Sequence, residues 1–190
     1  MDLSPDEENI QGRLLHQAAL WDNLELLEGL LGGGAEVGSK DEHNRTALHA
    51  AVLAERSMCL PALCNAGVDV NAVSDESTGG KTALHIAAEC GNAENVKALL
   101  SAGADLAILT AGGDSAVALA ERGRHRHAAN LLREARDALE RERLQQHSQL
   151  RELVVRGDVV CLQERLDALG SAAPVLCNLT PGGANTLLYV

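Results

Sequence analysis

Aromatic side chains are almost missing: the 190 residues include one Trp, one Tyr and no Phe. Sandwich and barrel cores draw on aromatic and β-branched residues, so the shortage argues against an all-β fold. The core has to be built from Leu, Ala and Val, which suits closely packed helices. Cations are scarce too, with 16 Lys and Arg against 27 Asp and Glu and a net charge of −11. Nucleic-acid binding needs a basic face, so no nucleic-acid partner is expected. No apolar run approaches the ~18 residues of a membrane helix, which argues against direct membrane insertion. The opening MDLSPDEENI is acidic, unlike a basic-then-apolar signal segment. Five Cys, at 59, 64, 90, 161 and 177, contain no C-x-x-C pair. An odd, irregular set reads as free thiols in a reducing compartment, cytoplasmic or nuclear.

What is present is repetition. KTALHIAAECGN (81–92) nearly restates RTALHAAVLAER (45–56). With the His of this phrase as a marker, His16, His49 and His85 align, and the register continues through Ala118 and Arg151 at steps of 33, 36, 33 and 33 residues. Self-similarity at such a period marks a stacked-repeat architecture. Each unit begins with a helix-capping Thr or Ser (Thr46, Thr82, Ser115). A short Ala-rich helix, a break, a second helix with paired Leu and a closing Gly follow. Helices of about ten residues are marginal alone, and stacking neighbouring pairs buries a shared seam.

The stretch GKTALHIAAECGNAENVKALLSAGADL closely resembles the ankyrin repeat, with Ala83 where that family commonly has Pro, and GAEVGSKDEHNRTALH resembles its hairpin and following helix start. The resemblance spans roughly Gln11 to Gly170 and is most specific in the first three units. It implies an all-α solenoid of stacked helix pairs joined by short β-hairpin-like loops, about five repeats in all. It further implies protein–protein interaction as the role, with no catalysis and no cofactor or metal.

Departures from the pattern set the domain plan. Residues 1–10 form an acidic N-terminal segment, 11–147 hold repeats one to four, 148–185 a fifth ankyrin-like repeat and linker, and 186–190 the start of a truncated sixth repeat. That last assignment rests on TLLYV overlaying TALHA; the tail could instead fold back as a cap. The loop NAVSDESTGGK is three residues longer than the period needs, and Pro61 falls early in the second helix of unit two. Unit four lacks a closing Gly, and Ala128, Leu132, Ala135 and Leu139 follow a helical 4, 3, 4 spacing. One unusually long helix is expected near 126–146, acting as a spacer before unit five.

Candidate sites follow from counting. Zinc ligands cluster, whereas His16, His49 and His85 recur once per unit, so a structural role satisfying backbone or the helix-start Thr is expected. The run Arg122–Arg126 can be read as a docking point for an acidic or phosphorylated segment or as a solvated turn. If first helices and hairpin tips form the inner face, as the resemblance implies, that face carries Leu20, Trp21, Leu53, Glu89, Cys90 and Arg122, with Asp41, Glu42, Asp75 and Glu76 at the tips. Trp21 either contacts a partner or covers the open end of the stack. The expected partner is another protein, a peptide or helix with apolar and basic residues. The alternative is an acidic inhibitor that masks a basic surface of its target.

Overall fold

The computed structural model describes residues 5–156, 175–177 and 187–189. The chain divides into two compact units, Met1–Arg136 and Asp137–Val190.

The first unit is a row of antiparallel helix pairs. Its elements are α1 (Pro5–Leu20), α2 (Leu24–Gly32), α3 (Ala47–Ala51), α4 (Cys59–Asn65), a 3₁₀ turn (Glu76–Thr78), α5 (Ala83–Cys90), α6 (Ala93–Ser101), α7 (Ala116–Arg122) and the first part of α8 (Arg126–Arg156). Columns of equivalent residues form one core: Leu15, Leu48 and Leu84 from first helices, and Leu27, Leu60, Val96 and Ala129 from second helices. Ala18, Ala19, Ala51, Ala87 and Ala88 are fully buried between the pairs. Second helices one, two and three end alike. Gly34, Gly67 and Gly103 adopt φ of +89°, +84° and +87°. The next residue's N–H reaches back to Leu30, Leu63 or Leu99, the left-handed C-cap in which glycine carries no Cβ penalty. Pro61 is the third residue of α4, where its missing N–H has no intrahelical partner to lose.

Three hairpin loops join the repeats, closed by Asp41 N–H to Arg45 O, Ser74 N–H to Lys81 O and Thr110 N–H to Asp114 O. The middle loop holds the extra three residues, folded into the 3₁₀ turn. Neighbouring loops are tied by Asp75 N–H to His43 O (2.9 Å) and Ala111 N–H to Gly79 O (3.0 Å).

The marker histidines fasten these loops. The Nδ1 of His49 accepts from the Thr46 N–H at 3.1 Å, and its Nε2 donates to Lys81 O at 3.1 Å. The imidazole thus takes the part of the reciprocal acceptor in a capping box and grips the next hairpin's closing carbonyl. His16 Nε2 lies 2.7 Å from the corresponding carbonyl of Arg45. In His85 the Nδ1 accepts from Thr82 N–H at 3.2 Å, while Nε2 faces the backbone of Ile108 and Asp114 without completing a hydrogen bond. Burial pushes the pKa of His49 and of His85 below the ordinary value. Unit four has Ala118 at the marker position, and the long helix α8 follows it where the earlier units have a hairpin loop.

Two polar clasps lock unit two between its neighbours. Asp22, at φ +52°, accepts from Ser57 Oγ, Met58 N–H and Cys59 N–H at 2.8–3.0 Å, capping α4 from the preceding repeat. From the other side, Asn95 Oδ1 accepts from Ser57 N–H, and its Nδ2 donates to the Val52 and Ala54 carbonyls, which Asn92 Nδ2 also serves.

Two expectations need correction at the helix ends. Residues 5–10, expected as an acidic segment outside the repeats, are the start of α1. Pro5 is suited to a first turn. The long helix, expected near 126–146, runs 31 residues to Arg156. No Gly or Pro occurs between Arg126 and Arg156 to stop it, so the opening of the fifth repeat, Arg151, Val155 and Arg156 included, is a continuation of α8. Its remaining positions to 174 lie outside the described residues. In the second unit, β1 (Val175–Cys177) pairs antiparallel with β2 (Leu187–Tyr189), Val175 opposite Tyr189. Leu187–Tyr189, overlaid on a helix start in the sequence, is therefore a strand.

Candidate functional site

Between the first helices and the first hairpin lies a groove of about 750 Å³, lined by Gly12, Arg13, His16, Gln17, Leu20, Glu36, Ser39, Lys40, Asp41, Arg45, Thr46, His49, Ala50, Leu53 and Ile86. Its floor is apolar, with Leu20 50% and Leu53 51% exposed beside Ala50 and Ile86. Leu20, Ala50 and Ile86 come from three successive first helices, which the repeat sets in register, and Leu53 lies in the turn just after α3. Arg45 is tied to Asp41 at 2.7 Å. Arg13, Lys40 and Glu36 form no ion pair among the described residues.

Leu20, Leu53 and Asp41 are brought together in the groove. Trp21 follows Leu20 at the end of α1 and is 65% exposed. Glu89, Cys90 and Arg122 continue the row on α5 and α7, outside the groove. Cys90 instead lines a separate hollow with Leu53, Glu55, Asn92, Glu94 and His127. Burial and the neighbouring Glu89 push the Cys90 thiol up, away from thiolate reactivity.

Several of the charges are already engaged. Glu89 is paired with Lys81 at 2.6 Å, and Arg122 with Asp114 at 2.9 Å. Asp41 accepts from the N–H groups of His43 and Arg45 as well as from the guanidinium. Its partial burial favours the neutral acid, but these bonds outweigh it and hold the carboxyl below its usual range. Asp75 is pushed down to about 2 by the hydroxyls of Ser77 and Thr78. It also faces His43 Nδ1 at 3.4 Å. Asp41 and Asp75 thus serve first to shape their loops, and Glu42 and Glu76 are the outward carboxylates of the tips.

Sequence reasoning did not nominate Arg13, Gln17 or Ile86. Ile86 could have been found, since it is one residue past the marker His85 where unit two has Ala50. Among the described residues, no group of three or more His, Cys, Asp or Glu is gathered to hold a metal. No helix among them is long and apolar enough to cross a membrane.

A family model of ankyrin repeats, in three copies, matches residues 15–110. Inversin of Gallus gallus is 42% identical over 88 residues, 46% of this chain and 8% of inversin. The E3 ubiquitin-protein ligase KEG of Arabidopsis thaliana is 36% identical over 75 residues, 40% of this chain and 4% of the ligase. Ankyrin repeat and SOCS box protein 16 of Homo sapiens is 32% identical over 129 residues, 64% of this chain and 28% of that protein. The chain therefore spans only a small part of the curated relatives it matches.

Proposed function

Because the chain belongs to the ankyrin-repeat family, whose repeats are protein–protein interaction modules, we propose that it acts as a scaffold or adaptor binding a segment of another protein in the groove of repeats one and two. The observation that carries this reading is the contiguous exposed apolar floor of Leu20 and Leu53, with Trp21 beside it. Exposed apolar patches of this kind mark contact sites, and Trp is enriched among residues that dominate binding energy. The segment would be a peptide or helix placing apolar side chains on this floor and basic ones toward Glu42 and Glu76. Glu89, Cys90 and Arg122 extend the surface toward repeat four. No chemistry is assigned to the chain, and a cytoplasmic or nuclear setting suits the free thiols of Cys59, Cys64 and Cys90.

Selection of binders from a random peptide library against the intact chain tests this. Trp21→Ala or Leu53→Ala should each weaken the selected peptides by roughly 30-fold or more, about 2 kcal/mol, with little change in melting temperature. Peptides insensitive to both substitutions would overturn the assignment of the groove. Binding that collapses with modest salt and ignores Leu53 would favour the acidic-inhibitor alternative, for which the net charge of −11 is the support.

A further inference from the structure

The two ends of the repeat row are finished differently. Position by position, Leu14 corresponds to Ala47, Ala83 and Ala116, and Leu26 to Cys59, Asn95 and Ala128. In repeats two to four all six equivalents are at most 2% exposed, buried where the preceding repeat packs. In repeat one Leu14 and Leu26 are each 37% exposed, and Ile10, one turn before Leu14, is 56% exposed. The opposite end is polar. Glu121 stands where Ala19, Val52 and Ala88 are fully buried, and Arg133 bridges it at 2.6 Å and reaches Asn130 at 3.1 Å. Terminal repeats require a polar outer face. Repeat four has one; repeat one carries larger apolar residues than the interior repeats use at the same positions.

We infer that the outward face of α1 and α2 docks a single amphipathic helix of another protein, apolar on one side and basic on its flanks. The face continues the stacking surface between repeats, so its shape is that of a helix-packing surface. A complete further repeat would meet Leu14 where the interior interfaces have Ala, and would be held off. A lone helix can seat beside that ridge, ridges into grooves. The seat is a hollow of about 390 Å³ lined by Asn23, Glu25, Leu26, Gly29 and Leu30. A Cβ added at Gly29 would meet nothing within 4 Å, which leaves room for a side chain from the visiting helix. The rim is acidic: Glu25 and Glu28 are exposed, and α2 contains no basic residue. A second copy would bring the same carboxylates against themselves on a chain of net charge −11, so a basic-flanked helix is the complementary occupant.

The test uses the full chain and a synthetic Leu/Lys amphipathic helix of about five turns, roughly 18 residues, with affinity read by fluorescence anisotropy at physiological salt. Leu14→Glu and Leu26→Glu should each weaken binding at least tenfold, although each adds negative charge. Attraction by charge alone would strengthen binding, so unchanged or tighter binding would overturn the inference. Gly29→Leu fills the hollow from within an exposed helical site and should weaken binding with the melting temperature kept. This variant decides the matter should a Glu variant fail to fold. Leu53→Glu, in the groove of the proposed function, should leave the peptide affinity within twofold; a larger loss would place the peptide in that groove and overturn the second surface. Sedimentation of the chain alone should show a monomer, whereas a dimer dispersed by Leu26→Glu would replace the visiting helix with self-association.

Discussion

Asn95 occupies a column that is otherwise apolar, with Leu26, Cys59 and Ala128 at the equivalent positions, and it is 2% exposed. Its replacement by Ala deletes three hydrogen bonds, but the losses are unequal. The carbonyls of Val52 and Ala54 keep their bonds from Asn92 Nδ2, at 2.9 and 3.1 Å. The N–H of buried Ser57 loses its acceptor, Asn95 Oδ1. An orphaned buried donor costs about 1–3 kcal/mol and an ordinary hydrogen bond about 1, so Asn95→Ala should destabilise by roughly 2–4 kcal/mol. Asn92→Ala orphans nothing, since Asn95 still serves both carbonyls, and should cost about 1 kcal/mol.

The double variant leaves both carbonyls without side-chain donors and should exceed the sum of the single losses by at least about 1 kcal/mol, a coupling in the range seen for groups sharing partners. Urea unfolding of the four proteins, with m-values compared, measures the cycle. Additive losses, or Asn92→Ala costing as much as Asn95→Ala, would refute the idea that the two amides back each other up at one pair of carbonyls.

Gly91 has φ +76° and lies against the His125 ring, so Gly91→Ala should destabilise by several kcal/mol, combining a left-handed backbone with a clash; calorimetry should show His125→Ala recovering part of the loss, and no recovery would acquit the ring. The lowered pKa values of His49 and His85 mean that the unfolded chain takes up protons that the folded chain refuses. Their contribution is complete above the ordinary value of 6.5 and falls as pH drops below it, by at most about 1.4 kcal/mol per pH unit for each; urea midpoints that His49→Gln leaves with the same slope between pH 7.5 and 5.5 would contradict this. Asp22 acts at lower pH. Its partial burial favours protonation, but the bonds from Cys59, Met58 and Ser57 hold its pKa below 3.8, so Asp22→Asn should remove stability present at neutral pH and flatten the acid limb measured below about pH 4. Ala138→Gly in α8 should cost about 1 kcal/mol from propensity, read by circular dichroism melting, and an unchanged melt would show that the helix there adds nothing to stability.

The features legible in the sequence are those written periodically. The marker His, the Thr caps and the closing glycines recur at fixed steps, and each does a local job within one repeat or at its junction with the next, so the spacing alone revealed it. The long helix was legible because a stop signal was missing. Its end was placed early because unit five was aligned by its apolar pattern, while backbone continuity depends on Gly and Pro, and neither occurs before Arg156. The tip carboxylates could not be told apart for a related reason. Asp41 and Glu42 look alike in sequence, but only Asp41 can reach two N–H groups and Arg45 from its place in the turn.

What sequence reasoning missed is aperiodic, and this bears on how the protein differs from a generic repeat array. Asp22, Asn95 and Leu14 with Leu26 each break a column, and each break falls at a junction or an end. Asp22 and Asn95 convert the two junctions of repeat two from apolar to polar, which fixes that repeat by hydrogen bonds of defined geometry where small apolar residues could slide. Repeat two has the shortest first helix, five residues in α3, and so the least apolar surface with which to hold its own position. It also supplies Leu53 and the Asp41–Arg45 hairpin to the groove. Rigid placement of those residues lowers the entropy lost on binding. The polar clasps would therefore belong to the proposed binding site in energetic terms although neither touches it, and a weakened clasp should reduce groove affinity in proportion to the fraction of molecules in which repeat two has loosened.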